Sequence, residues 1–204
     1  MRRRLPAIVL AIAITGCGAA ANDPHAPVPL ANVVRAIVLS ETEPPARTAF
    51  FRAQKGAISA TQELVQDEGP LVQVSVQRGL VDAITREFGT PGMIAMLVEG
   101  APTESLDPAR DVWVASTAMA YDGPTAAEAA LEAFAEASAG RLEQERKVAF
   151  GDGGTAFRGR FLRGMPVVSL LWSNERFVLH LMAVGAASHS EIRAIARAMD
   201  DRVP

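Results

Sequence analysis

Cysteine is almost absent from this chain of 204 residues, in which Cys17 is the only thiol. A single cysteine excludes an intrachain disulfide and any metal site built from several thiolates. Of the 3 histidines, His180 has no second histidine or carboxylate at a metal-ligand spacing, and we expect no metal and no cofactor. The formal charge of −3 argues against nucleic acid as a partner, because nucleic-acid-binding surfaces are strongly basic.

The N-terminus begins with Met1-Arg2-Arg3-Arg4, continues with an apolar run from Leu5 to Ile14 and ends in Thr15-Gly16-Cys17. The apolar run is 10 residues long, whereas a helix that crosses a bilayer needs about 20. A basic start, a short apolar core and small residues at the end are typical of a secretory signal. With cysteine directly after Gly16, the segment resembles the lipobox of bacterial lipoproteins, which is cleaved before the cysteine.

The resemblance to lipoproteins implies that residues 1–16 are a signal peptide and that Cys17 carries diacylglycerol through a thioether. Two or three acyl chains anchor a protein stably, since each buried methylene contributes about 0.8 kcal/mol. The expected location is the cell envelope, with the membrane as a partner through the lipid. In a Gram-negative cell the expected location is the outer membrane or a position facing the periplasm. In a Gram-positive cell it is the cell membrane. Cleavage removes three arginines and no acid, which changes the formal charge from −3 to −6.

The mature chain divides into a tether and one globular domain. Residues 17–29 form the lipidated N-terminus and a flexible tether with small residues and three prolines. At roughly 3.3 Å per residue, its stretch from Gly18 to Pro29 reaches about 40 Å. Residues 30–204 are predicted to form the domain, which is long enough to bury a core.

Hydrophobic spacing predicts mixed elements in the first half of the domain. Within residues 71–77, apolar and polar residues alternate, which is typical of a strand. Their apolar residues also continue at helical spacing into residues 80–88, so a strand and a helix both remain open. The other segments are predicted as a helix from Leu30 to Ile37, a strand over 46–53, a helix over 59–66, a helix over 80–88 and a strand over 92–98.

In the second half of the domain, the sequence marks the ends of the helices and strands more clearly. A central strand over 111–121 precedes a helix that Thr125 and Glu128 begin with a capping box and Gly140 ends. Ser188 and Glu191 form a second capping box before the last helix. Four strands lie between these helices, over 147–150, 156–162, 166–172 and 177–184, and glycine-rich or polar turns connect them. This order predicts a single α+β domain in which helices pack on one face of an antiparallel sheet.

The C-terminal part contains a tryptophan-bearing strand, Val167-Val168-Ser169-Leu170-Leu171-Trp172, that turns into a partner strand. A capped helix ending at Met199 follows. This arrangement resembles the end of PsbP-like domains of small bacterial lipoproteins. The resemblance covers about the last fifty residues of the chain and implies a fold. It brings no functional residue with it, because function depends on a site rather than on a fold.

His180 is the histidine with most functional interest, because it shares a strand face with apolar residues. A buried histidine has a lowered pKa and needs a hydrogen-bond partner. The residue is therefore either satisfied within the core or part of a ligand cleft. The aromatic residues Trp113, Tyr121 and Trp172 are predicted core residues and the candidate walls of such a cleft. His25 and His189 are expected to be exposed.

Arg158 and Arg160 alternate with Phe157 and Phe161 along one predicted strand. Two arginines on one face are candidate contacts for an anion, but the same alternation also describes the solvent side of a sheet. The glycine-rich segment before them lacks the lysine of a phosphate-binding loop and the alternating acids of a calcium loop.

No catalytic motif occurs in the sequence: a Gly-x-Ser-x-Gly elbow is missing, and no local pattern combines serine, histidine and aspartate. We therefore expect a lipid-anchored, non-enzymatic envelope domain that binds a protein or a small ligand. The alternative is a periplasmic carrier or chaperone for an apolar ligand such as a lipid. An enzyme would require a polar cluster around His180.

Overall fold

The computed structural model describes residues 28–55, 78–140 and 142–204. Within these ranges the chain forms four α-helices and seven β-strands. The helices are α1 (Leu30–Ile37), α2 (Pro91–Glu99), α3 (Pro124–Ala139) and α4 (His189–Asp200). The strands are β1 (Ala49–Lys55), β2 (Leu80–Gly89), β3 (Val112–Tyr121), β4 (Glu143–Val148), β5 (Gly153–Phe161), β6 (Met165–Asn174) and β7 (Phe177–Gly185). The predicted helix over 59–66 and the ambiguous residues 71–77 lie outside the described residues.

The seven strands form one sheet in the order β1-β2-β3-β7-β6-β5-β4, and every neighbouring pair is antiparallel. The last strand in the chain, β7, therefore lies in the middle of the sheet beside β3. Every residue of β3 and of β7 is buried. These features confirm the α+β class, the antiparallel sheet and the central position of the strand predicted over 111–121.

The helices cover both faces of the sheet, which differs from the predicted arrangement on one face. Side chains of β3 alternate between the faces: Val114 and Ala118 pack with α1 and α4 on what we call the first face. Trp113 and Met119 point to the second face, which α2 and α3 cover. A central strand that is apolar on both sides exposes nonpolar surface unless both sides are covered, so helices are needed on each.

Two elements of the first half have the opposite type from the prediction. Residues 80–88 are strand β2 rather than a helix, and residues 92–98 belong to helix α2 rather than to a strand. Helix α2 has Pro91 in its first turn, which proline tolerates well, and ends at Gly100 with a φ of 72°. Only glycine adopts such a left-handed conformation readily, so Gly100 ends the helix efficiently.

The capping boxes have different outcomes. Helix α3 starts at Pro124 after Gly123 without a side-chain cap, so the box predicted at Thr125 and Glu128 is wrong. Proline favours the first helical position, where its missing N–H costs nothing. At α4, Ser188 Oγ accepts the backbone N–H of Glu191 at 3.2 Å, which is one of the two hydrogen bonds of the predicted box. The Glu191 carboxylate accepts the N–H of Ala46 at 3.2 Å, and it thereby ties α4 to the loop before β1.

The meander of the second half agrees with the prediction. The glycine-rich segment connects β4 to β5, and Gly151 has a φ of 48°. A Cβ at Gly151 would lie 2.2 Å from the backbone oxygen of Ser173. Only glycine therefore fits where this turn approaches β6.

Asp200, the last residue of α4, links three parts of the first face. Its Oδ1 accepts the indole N–H of Trp172 at 3.0 Å and the side-chain amide of Asn174 at 2.9 Å. Its Oδ2 accepts the backbone N–H of Gly151 at 3.0 Å. A carboxylate at a helix C-terminus is disfavoured by the helix dipole, so these donors must offset that cost.

Candidate functional site

The four residues predicted for a cleft do not come together. Trp113, Tyr121 and His180 lie on the second face, whereas Trp172 lies on the first face and packs against Phe150. All four are buried, with at most 3% of His180 exposed. In the described part of the chain they therefore contribute to the two cores rather than to the wall of one open cleft.

A polar row crosses the centre of the second face. Thr85, Thr117 and His180 lie directly opposite one another on β2, β3 and β7. The hydroxyl groups of Thr85 and Thr117 are 2.9 Å apart, and His180 Nε2 is 2.9 Å from the hydroxyl of Ser169 on β6. Polar side chains thus surround His180 in the sheet. The buried hydroxyl groups among them have hydrogen-bond partners.

Burial lowers the pKa of His180 to about 4. Low-dielectric surroundings disfavour the charged imidazolium, so the ring is neutral at pH 7. Burial also raises the pKa of Tyr121 above its ordinary value. The polar row is therefore an uncharged interior network at neutral pH.

An ion pair between a buried carboxylate and a half-buried guanidinium lies beside the polar row. The side chain of Glu87 is 0% exposed and binds Arg52 of β1 through two bonds, at 2.9 Å and 2.7 Å. Gln54 donates a further bond to Glu87 at 3.3 Å. The partners of Glu87 come from another strand, so no local pattern in the sequence reveals this site.

The two tryptophans differ in how their indole N–H groups are satisfied. Among the described residues, Trp113 Nε1 is buried without an acceptor, whereas Trp172 Nε1 donates to Asp200. A buried donor without a partner costs free energy, and a bond to a carboxylate stabilises. The same substitution at the two positions should therefore have different effects.

We expect Trp172→Phe to lower the free energy of unfolding by about 1.5–3 kcal/mol more than Trp113→Phe, because only the former breaks a charge-assisted hydrogen bond. Both variants lose similar side-chain volume, so each serves as the control for the other. Urea denaturation followed by circular dichroism measures the difference. Equal losses would show that the Trp172–Asp200 bond contributes nothing net.

A basic recess opens where the β5–β6 hairpin meets the start of α4. Its volume is about 350 Å³, and Arg158, Arg160 and His189 line it together with the apolar residues Pro166, Val167 and Ala187. The structure thus brings the two predicted arginines together with His189, which is half-buried rather than exposed. His189 and the apolar lining come from segments distant in sequence, so the strand pattern gives no sign of them.

Hydrogen bonds hold the two arginines of the basic recess in place. The Arg158 guanidinium lies 2.8 Å from His189 Nε2, and Arg160 donates to the carbonyl of Gly164 at 2.8 Å. A guanidinium has five N–H donors in a planar fork that matches carboxylate or phosphate. The positive end of the α4 dipole lies at the same place, because α4 begins at His189. The recess can therefore hold the charged group of an organic anion above an apolar floor.

An apolar groove of about 490 Å³ lies where the described chain begins. Arg176 and Arg202 stand at the groove beside its apolar residues. These apolar residues are Val28, Leu30, Val33, Ala36 and Phe177. Val28 is 65% exposed.

A third recess, of about 660 Å³, runs along the solvent side of α3. Glu132 and Glu136 line it with Asp122 and Arg78, and small alanine side chains separate them. Its charges have both signs and no shared hydrogen-bonding geometry, so its lining does not select a ligand.

Residues 28–55, 78–140 and 142–204 contain neither a metal-ligand cluster nor a membrane-spanning helix. In these ranges no group of three or more histidine, cysteine, aspartate or glutamate side chains is placed to hold a metal ion. No helix within the same ranges combines the length and apolar character needed to cross a membrane.

The fold and the recess define an α+β domain with a seven-stranded antiparallel sheet and a basic surface site. No protein-family model and no curated protein sequence matches the chain. Among solved structures, the fold is similar to the extracellular domain of PknH from Mycobacterium tuberculosis, with a TM-score of 0.56 and 12% identity. The similarity covers 88% of this chain and 98% of that one. At this identity the likeness concerns the fold alone.

Proposed function

We propose that the protein is a lipid-anchored, non-enzymatic domain of the cell envelope that binds a protein or a small ligand through an anionic group. The observation that carries the binding site is the basic recess, where Arg158, Arg160 and His189 surround an apolar floor. Arginine forks bind carboxylate and phosphate through paired hydrogen bonds. The apolar floor favours an anion with a hydrocarbon part over an inorganic ion.

The envelope location is supported by the lipobox-like segment ending at Cys17 and by the likeness in fold to an extracellular domain. Binding is preferred to catalysis because His180, which an enzyme site would require, is 3% exposed and lies within the sheet. A general base must come within hydrogen-bond reach of its substrate.

The recess is tested with phenyl phosphate as the probe. We expect the full chain to bind it and the double variant Arg158→Gln/Arg160→Gln to bind at least about tenfold more weakly, because each lost charged hydrogen bond contributes 1.5–3 kcal/mol. Arg197→Gln, an exposed residue in the last turn of α4, is the control with a single charge removed. Isothermal titration calorimetry measures all three proteins. Equal weakening in the control, or no binding by the unaltered chain, would contradict the site.

The anchor is tested with Cys17→Ser. We expect this variant to fold but to leave the membrane fraction, because the hydroxyl does not take the thioether-linked lipid. Fractionation after an alkaline wash, with circular dichroism of the released protein, gives the result. A variant that stays in the membrane fraction would refute lipidation at Cys17.

A carrier for an apolar ligand is the second candidate, and the apolar groove is the observation that favours it. Native mass spectrometry of the Cys17→Ser chain should then show a co-purified lipid. A lipid-free spectrum would argue against this function.

A further inference from the structure

The apolar groove lies on the first face, at the end of the domain where both described termini meet. Helix α1 provides Leu30 and Val33, and Phe177 at the start of β7 adds a buried aromatic floor. Val28 and Pro204 both line the groove. The chain that leads back to Cys17 therefore leaves the domain at the groove itself.

The distance from the groove to the lipid is limited by the sequence. Eleven peptide units separate Cys17 from Val28, so the two residues are at most about 36 Å apart at roughly 3.3 Å per residue. A shorter tether conformation brings the groove to the bilayer surface. A short tether also keeps the domain at a local concentration in the millimolar range near the membrane.

The basic recess lies at the other end of the same helix. His189 at the start of α4 lines the recess, whereas Arg202, just beyond the end of α4, lines the groove. Helix α4 has 12 residues, which corresponds to a length of about 18 Å. The recess and the groove therefore lie about the length of α4 apart along the domain, so a ligand in one does not occupy the other.

The overall charge of the protein does not bring this surface to the membrane. The mature chain has a formal charge of −6, and Glu175 lines the groove together with Arg176 and Arg202. We expect contact to come mainly from the apolar side chains and to be weak unless the lipid holds the domain in place.

We propose that the apolar groove docks on the bilayer surface when Cys17 carries lipid. The proposal rests on the lipid anchor of the proposed function. The single cysteine makes it directly testable, because a lipidated Cys17 leaves an introduced cysteine as the only free thiol.

The experiment places a nitroxide spin label at Val28→Cys or at Val33→Cys of the full lipidated chain, reconstituted in vesicles of phosphatidylethanolamine and phosphatidylglycerol. Val98→Cys is the control, since Val98 is 59% exposed on α2 and belongs to the opposite face. Electron paramagnetic resonance measures collisions of each label with oxygen and with a water-soluble nickel chelate. We expect the ratio of oxygen to nickel collisions to rise severalfold at Val28 and Val33 on vesicles, and to stay unchanged at Val98. The same labels in the Cys17→Ser chain without vesicles give the reference values.

Each outcome bears on the proposal. Equal collision ratios at Val33 and Val98 in a lipidated chain would overturn the docking and leave the anchor intact. Shielding of Val33 in the Cys17→Ser chain without vesicles would also overturn it, because a protein segment or a carried lipid would then fill the groove. The mass of the N-terminal peptide, measured first, tests the anchor itself: a peptide without lipid refutes both the proposed anchor and the docking.

Discussion

Replacing Asp200 by alanine is expected to lower the free energy of unfolding by about 3 kcal/mol, because three donors lose a charged acceptor together. These donors are the indole N–H of Trp172, the amide of Asn174 and the backbone N–H of Gly151. Trp172 is 0% exposed, so its N–H cannot turn to water. Urea denaturation at pH 7 measures the loss.

Two further substitutions serve as controls for Asp200→Ala. Asp200→Asn retains one oxygen acceptor, so we expect a loss between that of alanine and zero. Asp201→Ala removes the neighbouring acid, which is exposed, and should change stability by no more than about 0.5 kcal/mol. If Asp200→Ala and Asp201→Ala had equal effects, the three hydrogen bonds would contribute nothing net.

Acidification is expected to destabilise the protein through His180. Its pKa is about 4 in the folded protein and about 6.5 in an unfolded chain. Between these values the unfolded state binds more protons, so stability is fully present above pH 6.5 and is lost as the pH falls toward 4. A difference of about 2.5 pKa units corresponds to about 3 kcal/mol.

The contribution of His180 is isolated by comparison with His180→Gln, which does not titrate. Carboxylates titrate in both proteins, so the quantity to follow is the difference between their free energies of unfolding from pH 7 to pH 4. We expect this difference to change by about 3 kcal/mol in favour of the variant at low pH. Ser169→Ala removes the hydroxyl beside the ring and should keep the pH dependence. Parallel curves for the unaltered chain and His180→Gln would contradict a lowered pKa.

The second half of the fold was predictable because its signals are local. Turn glycines and the cap at Ser188 mark the ends of elements, and alternating or continuous apolar residues identify the strands between them. Strand β3 was recognised as central from its apolar character on both faces. A strand that is apolar on both faces also implies that helices cover both faces of the sheet. The predicted arrangement nevertheless placed the helices on one face only.

The errors at β2 and α2 arose because apolar spacing was weighed above the other signals in each segment. Ile84 and Phe88 are four residues apart, and that spacing places two side chains on the same side of a strand as well as of a helix. The polar residues Thr85 and Glu87 obscured the strand, because their hydrogen-bond partners come from β1 and β3. In α2 only Met93 is buried; Pro91 and Gly100 were the signals that identify a helix there.

Prediction of the candidate site was limited because its residues come together only in the folded chain. Arg158 and Arg160 share a strand face, which the sequence reveals. The contribution of His189 depends on how β7 leads into α4 beside the β5–β6 hairpin. His180 and Trp172 looked like members of one cleft, but they point to opposite faces because they lie on adjacent strands with opposite side-chain phase.

The central position of β7 determines when the sheet can be completed during synthesis. Strands β1 to β3 and β4 to β7 each follow chain order, and the two groups join only where β3 pairs with β7. One edge of β3 therefore keeps unpaired backbone groups, flanked by apolar side chains on both sides, until the C-terminal part of the chain has emerged. Such an edge is a template for aggregation. The chain must therefore be available as far as the end of β7 before the domain can pair and bury this edge of β3.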